Sequence, residues 1–165
     1  MQGLPPTIAI TGMGVVSALG NGVAAQLAAL RAGYSGIGAL RYHDLGFPDL
    51  VFGEVPMSDA ELKTAVKWAD AGSDLSRTVL LGLLAAEEAM ASCGAKNKTG
   101  LTLISASTVG GMDRTEREYQ YRDSDTARLM RAARGHEVSD HTRYVARSVG
   151  ATQAGTISTA CSSSA

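Results

Sequence analysis

The sequence predicts an α/β layered fold, and three observations predict it. Short β-type runs alternate with helical patterns along the chain. Glycines punctuate the joins, at positions 12, 14, 33, 94, 110 and 111. One segment, RTVLLGLLAAEEAMASCG, is apolar almost all round, as a helix held between layers is.

Each element follows in turn. TIAITGMG reads as a buried strand, Thr7 to Thr11, ending in Gly12 and Gly14, and GNGVAAQLAALRAG as a short helix closed by Gly33. From Tyr34 to Pro56 no period is sustained, so this tract reads as loops with one short strand at LVFGEV. SDAELKTAVKWAD opens with Ser58 and has Glu61 three residues on, the pattern of a capping box. The apolar helix ends at Gly94, and GLTLISAST is the next β-type run, followed by Gly110-Gly111. The charged tract from Asp113 to Gly135 reads as a solvated cap with helical turns. SDHTRYVARSVG, with Ser139 at its N-cap, is the last helix, and AGTISTAC the last strand.

Composition bounds the function. With 165 residues, 45% hydrophobic and 19% charged and a net charge of −1, the chain suits one globular domain or part of a larger one. Such a balance implies neither a nucleic-acid partner nor an anionic membrane surface. The start has no basic region and Pro5-Pro6 interrupt its apolar run, so neither a leader nor a membrane span is expected. Cys93 and Cys161 are too few for a disulfide framework, and they read as thiols in a reducing, cytoplasmic compartment.

Several motifs compete for chemistry. GMGVVSALG approaches a dinucleotide fingerprint, but Ser17 stands where the third glycine is required, so the glycines read as turn formers. His136 and His141 in HEVSDH are five apart and would point about 140° apart on a helix, too far to share a metal. They, and His43 in loop sequence, read as structural or surface residues. No cofactor and no metal is expected. Cys93, at the end of the apolar helix, reads as a packed residue. Cys161 differs: it follows a β-type run and precedes SSSA, at the start of a helix, where free N–H groups and the helix dipole favour a thiolate.

Four pieces in order, IAITGMGVVSALG, LLGLLAAEEAM, STVGGM and TACSSS, make the chain similar to the N-terminal half of a β-ketoacyl synthase, the condensing-enzyme family of fatty-acid and polyketide assembly with a thiolase-like fold. That resemblance implies a mixed sheet with helices on both sides, formed here by residues 1–165 as a half domain. It implies that Cys161 is the acyl-accepting nucleophile, with its own N–H donating to the oxyanion hole, and that Val109 lines and gates the acyl pocket. It implies a decarboxylating Claisen condensation with a malonyl thioester on acyl carrier protein. The carrier, acyl and malonyl thioesters, a C-terminal half bearing two catalytic histidines, and a homodimeric or heterodimeric partner are the expected associates. A structural, subunit-forming lobe and a thiolase half are the alternatives.

The family's Asp-Arg pair at the head of the long helix is replaced by SDLSR, with Asp74 and Arg77 apart. Arg128, Arg131 and Arg134 recur every third residue and, because the family's carriers are acidic, form an expected docking patch that Lys63 and Lys67 extend. A helix needs several turns, which Ser162 to Ala165 cannot supply. The expectation is therefore half of a condensing enzyme, inactive without its complement.

Overall fold

The computed structural model describes residues 8–42, 49–68, 74–94, 99–108 and 110–158. In chain order its elements are β1 (Val16–Ser17), β2 (Gly20–Asn21), α1 (Val23–Arg31), α2 (Asp59–Ala65), α3 (Arg77–Ser92), β3 (Thr102–Ala106), α4 (Met112–Glu118), α5 (Thr126–Ala133), α6 (Asp140–Val149) and β4 (Gln153–Ile157). Short 3₁₀ turns at Tyr119–Tyr121 and Arg134–His136 follow α4 and α5.

α3 is the axis of the molecule. Its Leu, Ala, Glu and Met residues are strong helix formers, and the Ser76 side chain caps it by accepting from the Val79 amide at 3.4 Å. Gly94, at φ +61°, carries the chain away in a left-handed conformation that favours glycine. Val79, Leu80, Leu83 and Leu84 fall on one face, and they are buried with Leu62 and Val66 from the α2 side, Val145 and Val149 from α6, and Leu75. α3 and α6 approach closely at Gly82, where an added Cβ would stand 3.3 Å from the Val145 side chain.

Two adjacent glutamates on α3 hold its neighbours by their backbones. Glu88 accepts from the Val15 amide at 3.0 Å and from the Val23 amide at 2.8 Å, so a carboxylate sits at the N-terminus of α1. Glu87 accepts from the amides of Lys67 and Trp68, each at 3.0 Å. This explains why α2 stops at Ala65 instead of running on through the predicted helix. Val66 is extended at ψ 125°, and the next two amides go to Glu87 instead of to α2 carbonyls. The capping box predicted at its other end is present, with Ser58 and Glu61 bonding reciprocally.

The predicted first strand is not one. Among the described residues 8–11 no strand forms; the chain runs alongside α3, and the Met13 amide and carbonyl are both held by the Ser92 hydroxyl at 3.0 Å. Gly12 and Gly14 are there for close approach, since a Cβ on either would strike the α3 backbone at Ala89 or Ala85. Pairing begins only at the β1–β2 hairpin, where Gly20 takes φ +131°. α1 is likewise shorter than predicted, with Gly33 at φ +63° closing it. LVFGEV contributes a single bridge, Gly38 to Phe52.

The α/β class is borne out. The described strands form two separate pairs, antiparallel β1–β2 and parallel β3–β4, in place of one mixed sheet. Leu103, Ser105 and Thr156 point to the helical side, whereas Ile104 and Ile157 on the other face are exposed. The charged tract folds as a helical arm, α4 and α5 packed together, and Gly150 in the left-handed region ends α6.

Candidate functional site

β3 and β4 are parallel, with Thr102 opposite Gln153 and Ala106 opposite Ile157, and the Ser107 amide extends the ladder to the Ile157 carbonyl at 3.3 Å. Parallel strands send both chains off the same end, the edge at which α/β sheets bind ligands. Ala106 and Ile157, the ends of β3 and β4, therefore lie at one edge. Val109 and Cys161 themselves, like His43, lie outside the described residues.

The segment after β3 is held tightly. Gly110 and Gly111 are buried; the Gly111 amide donates to the Gly135 carbonyl at 2.9 Å and the Met112 amide to the Gly110 carbonyl at 2.9 Å. A Cβ on Gly110 would meet the His136 carbonyl, and one on Gly111 would stand 2.6 Å from Ser76 Oγ. Both glycines are required by proximity, at a positive φ in neither case. The arm thus closes on itself at its neck, where Thr115 Oγ1 also bonds His136 Nε2.

On the other side of the ladder, the first turn of α6 reaches the strands. His141 Nε2 bonds Ser105 Oγ, and Thr156 Oγ1 donates to Thr142 Oγ1 at 2.8 Å. Ser139 occupies the N-cap position predicted for it, but its side chain makes no capping bond. The histidines of HEVSDH therefore go to separate hydroxyls. Among the described residues no group of three or more His, Cys, Asp or Glu converges as a metal site, and no helix is long and apolar enough to cross a membrane.

The arginines of the arm do not act alike. Arg128 is ion-paired with Glu118 and lies 3.9 Å above the centroid of the Tyr121 ring; the hydrogen bond to Glu118 raises its pKa still further. Arg128 is thus largely neutralised. Arg131 and Arg134 are exposed and carry no ion pair among the described residues. Arg128 and Arg131 share a cavity of about 370 Å³ with Arg114 and Arg117, between Asp74 and Glu118. Lys67 lines a different cavity, of about 720 Å³, beside Trp68 and Glu87, and Lys63 is exposed on α2. Cys93 is half-buried at the end of α3, its Sγ donating to the Met90 carbonyl at 3.2 Å.

Arg77 is the site residue whose role the sequence pattern did not disclose. Buried at the head of α3, it donates to Asp59 Oδ1 at 2.9 Å, to the Val55 carbonyl at 3.1 Å and to the Met57 carbonyl at 2.8 Å. Asp59 also pairs with Arg117, which reaches Asp113, and Asp113 accepts from the Arg77 amide at 3.2 Å. This ring joins α2, α3 and α4 behind the Gly110-Gly111 turn. Asp74 pairs with Arg114 instead.

The sequence profile of the family described as β-ketoacyl synthase, N-terminal domain, matches residues 6–165. No curated protein matches the chain in sequence. Among solved structures, the ishigamide ketosynthase/chain length factor superposes with a TM-score of 0.70 at 22% identity, covering 92% of this chain and 39% of that one, which establishes a shared fold. This chain thus spans well under half the length of that relative.

Proposed function

The chain belongs to the family of β-ketoacyl synthase N-terminal domains, and from that premise we propose that it supplies the nucleophile of a decarboxylating Claisen condensation. In this reading the Cys161 thiolate attacks the carbonyl of an acyl thioester, the carrier's thiol leaves, and the acyl group rests on Cys161 as a new thioester. A malonyl-carrier thioester then loses carbon dioxide, and its α-carbon attacks the acyl-cysteine carbonyl. The thiolate of Cys161 leaves and a β-ketoacyl carrier is the product. The Cys161 amide stabilises the oxyanion in both acyl transfers.

The observation that supports the reading is the parallel β3–β4 register, which brings Ala106 and Ile157, the strand ends that precede STVGG and TACSSS in the sequence, to one edge. In this reading Val109 is the gate of the acyl pocket. The resemblance to condensing enzymes assigns the two decarboxylating histidines to a C-terminal half, and the active assembly to a homodimer or heterodimer; His136 and His141 are each bonded to a hydroxyl within the fold. Acyl carrier protein is the proposed donor of both thioesters. The cytoplasm is the proposed setting, one in which Cys93 and Cys161 remain thiols.

Acyl loading tests this. The intact protein incubated with an acyl-carrier thioester should carry the acyl group on Cys161, Cys161→Ala should carry none, and limited iodoacetamide should label Cys161 ahead of Cys93. Equal loading of the Cys161→Ala variant would refute the reading, and no loading of either would favour a structural lobe.

A further inference from the structure

Residues 112–136 form an arm that is well joined within itself and thinly joined to the body beneath. α4 and α5 pack on each other, Arg128 of α5 is ion-paired with Glu118 of α4, and Thr115 Oγ1 bonds His136 Nε2. Among the described residues, by contrast, the core cluster takes no side chain from this stretch. α4 buries none and α5 only Ala132, while Met112, Tyr119 and Met130 stand exposed. Apolar burial, the usual cement between layers, is thus nearly absent between arm and body among the described residues.

Charge takes its place. Beyond the neck, the described hydrogen bonds between arm and body each involve a carboxylate: Arg114 with Asp74, Arg117 with Asp59 at 3.0 Å, and the Arg77 amide with Asp113 at 3.2 Å. The Asp74 side chain is 73% exposed and that of Arg117 53%, so both ion pairs are open to screening by salt. Between arm and body lies the cavity of about 370 Å³, whose lining, Asp74 apart, belongs to the arm. At the neck the Gly111 amide bonds the Gly135 carbonyl, and small residues at such a junction absorb backbone rotation.

We propose that residues 112–136 are a hinged flap, a unit that keeps its own fold, pivots at the Gly111–Gly135 neck and is held shut by the bonds of Asp59, Asp74 and Asp113. Ionic strength governs its opening, because salt screens the latch and leaves the apolar core beneath intact. Segments with few buried apolar contacts are the ones that open below the threshold for global unfolding. Opening parts Asp74 from the arginines that line the cavity and leaves Arg114 and Arg117 free for another anion. The inference does not depend on the condensing-enzyme reading.

Hydrogen exchange in the intact protein tests it. The Arg77 amide is the reporter: it lies in the first turn of α3, where no helical carbonyl can take it, and its acceptor, Asp113, rides on the arm. Raising sodium chloride from about 0.1 M to about 1 M shortens the screening length from about 10 Å to about 3 Å. Exchange at Arg77 should then quicken about threefold or more, relative to the Leu83 and Leu84 amides within α3. Asp74→Asn should quicken it about twofold or more already at low salt and lessen the response to salt. The Gly111 amide, at the pivot, and the amides in the last turn of α5 should keep their rates in both cases. Exchange at Arg77 that ignores either salt or Asp74→Asn would overturn the latch. Equal acceleration at Gly111 or in α5 would overturn the pivot, by showing that the arm melts instead of swinging. Should Asp74→Asn disturb folding, the salt titration of the wild type decides alone.

Discussion

Arg77 satisfies two backbone carbonyls and one carboxylate while itself almost wholly out of water. Replacing it by methionine keeps volume but leaves Asp59 to Arg117 alone and strands the carbonyls of Val55 and Met57. Arg77→Met should therefore lower stability by about 2–4 kcal/mol in denaturant titrations, and Arg77→Lys should recover only part, because one ammonium cannot serve a fork of three acceptors. The sequence placed an arginine at the head of α3 correctly and could not name its partner. Asp59 is 18 residues away, a separation that no local pattern encodes. Asp74, the nearer acid, is drawn to Arg114 of the arm. The proposed gate, Val109, belongs at this scale too: if this stiff β-branched residue lines the acyl pocket, Val109→Phe should shorten the acyl chains accepted, read from the product distribution.

Among the elements, α2 shows which boundaries a sequence can state. Its start was legible because Ser58 and Glu61 are three residues apart and cap one another. Its end was not, because Glu87, the residue that takes the Lys67 and Trp68 amides, lies on another helix. The strand expected at the N-terminus failed for the same kind of reason: β-type composition does not supply a neighbouring strand, and the Met13 amide is satisfied by the Ser92 hydroxyl. The cap carries a pH prediction. Donation from the Ser58 amide, and next from its hydroxyl, holds the Glu61 carboxyl below its ordinary 4.5. A carboxyl depressed in the folded state stabilises above its unfolded value and loses that contribution as pH falls through the folded one. α2 should thus be indifferent to pH between neutrality and about 5, and fray below about 4.5. Ser58→Ala, which removes the hydroxyl and keeps the amide, should raise the Glu61 midpoint part of the way in a carboxyl carbon-13 titration; an unmoved midpoint would show that the hydroxyl is not a cause.

At the scale of the molecule, the α/β class was legible through periodicity and the thiolase-like fold through the resemblance that TACSSS and its companion motifs carry, whereas the division of labour among the arm's arginines was not. Spacing of three put Arg128, Arg131 and Arg134 in one patch, but Glu118 and Tyr121 had already claimed Arg128. Carrier docking, as proposed, rests on the two without ion pairs. Charge reversal at Arg131 and Arg134 should raise the KM for a carrier-bound thioester and leave a small soluble thioester unaffected, and reversal at Arg128 should act mainly by unfolding the arm; equal effects on both substrates would remove the docking role. The arm's neck has a consequence for how such a protein changes over time. Its two ends meet at the Gly111 amide and the Gly135 carbonyl, so residues between them can be added, deleted or exchanged at the small entropic cost of lengthening a closed loop. A lineage could exchange the outward surface between those glycines while Asp113, Arg114 and Arg117 kept their bonds to the body, and the strands and the buried helix beneath would go on folding as before.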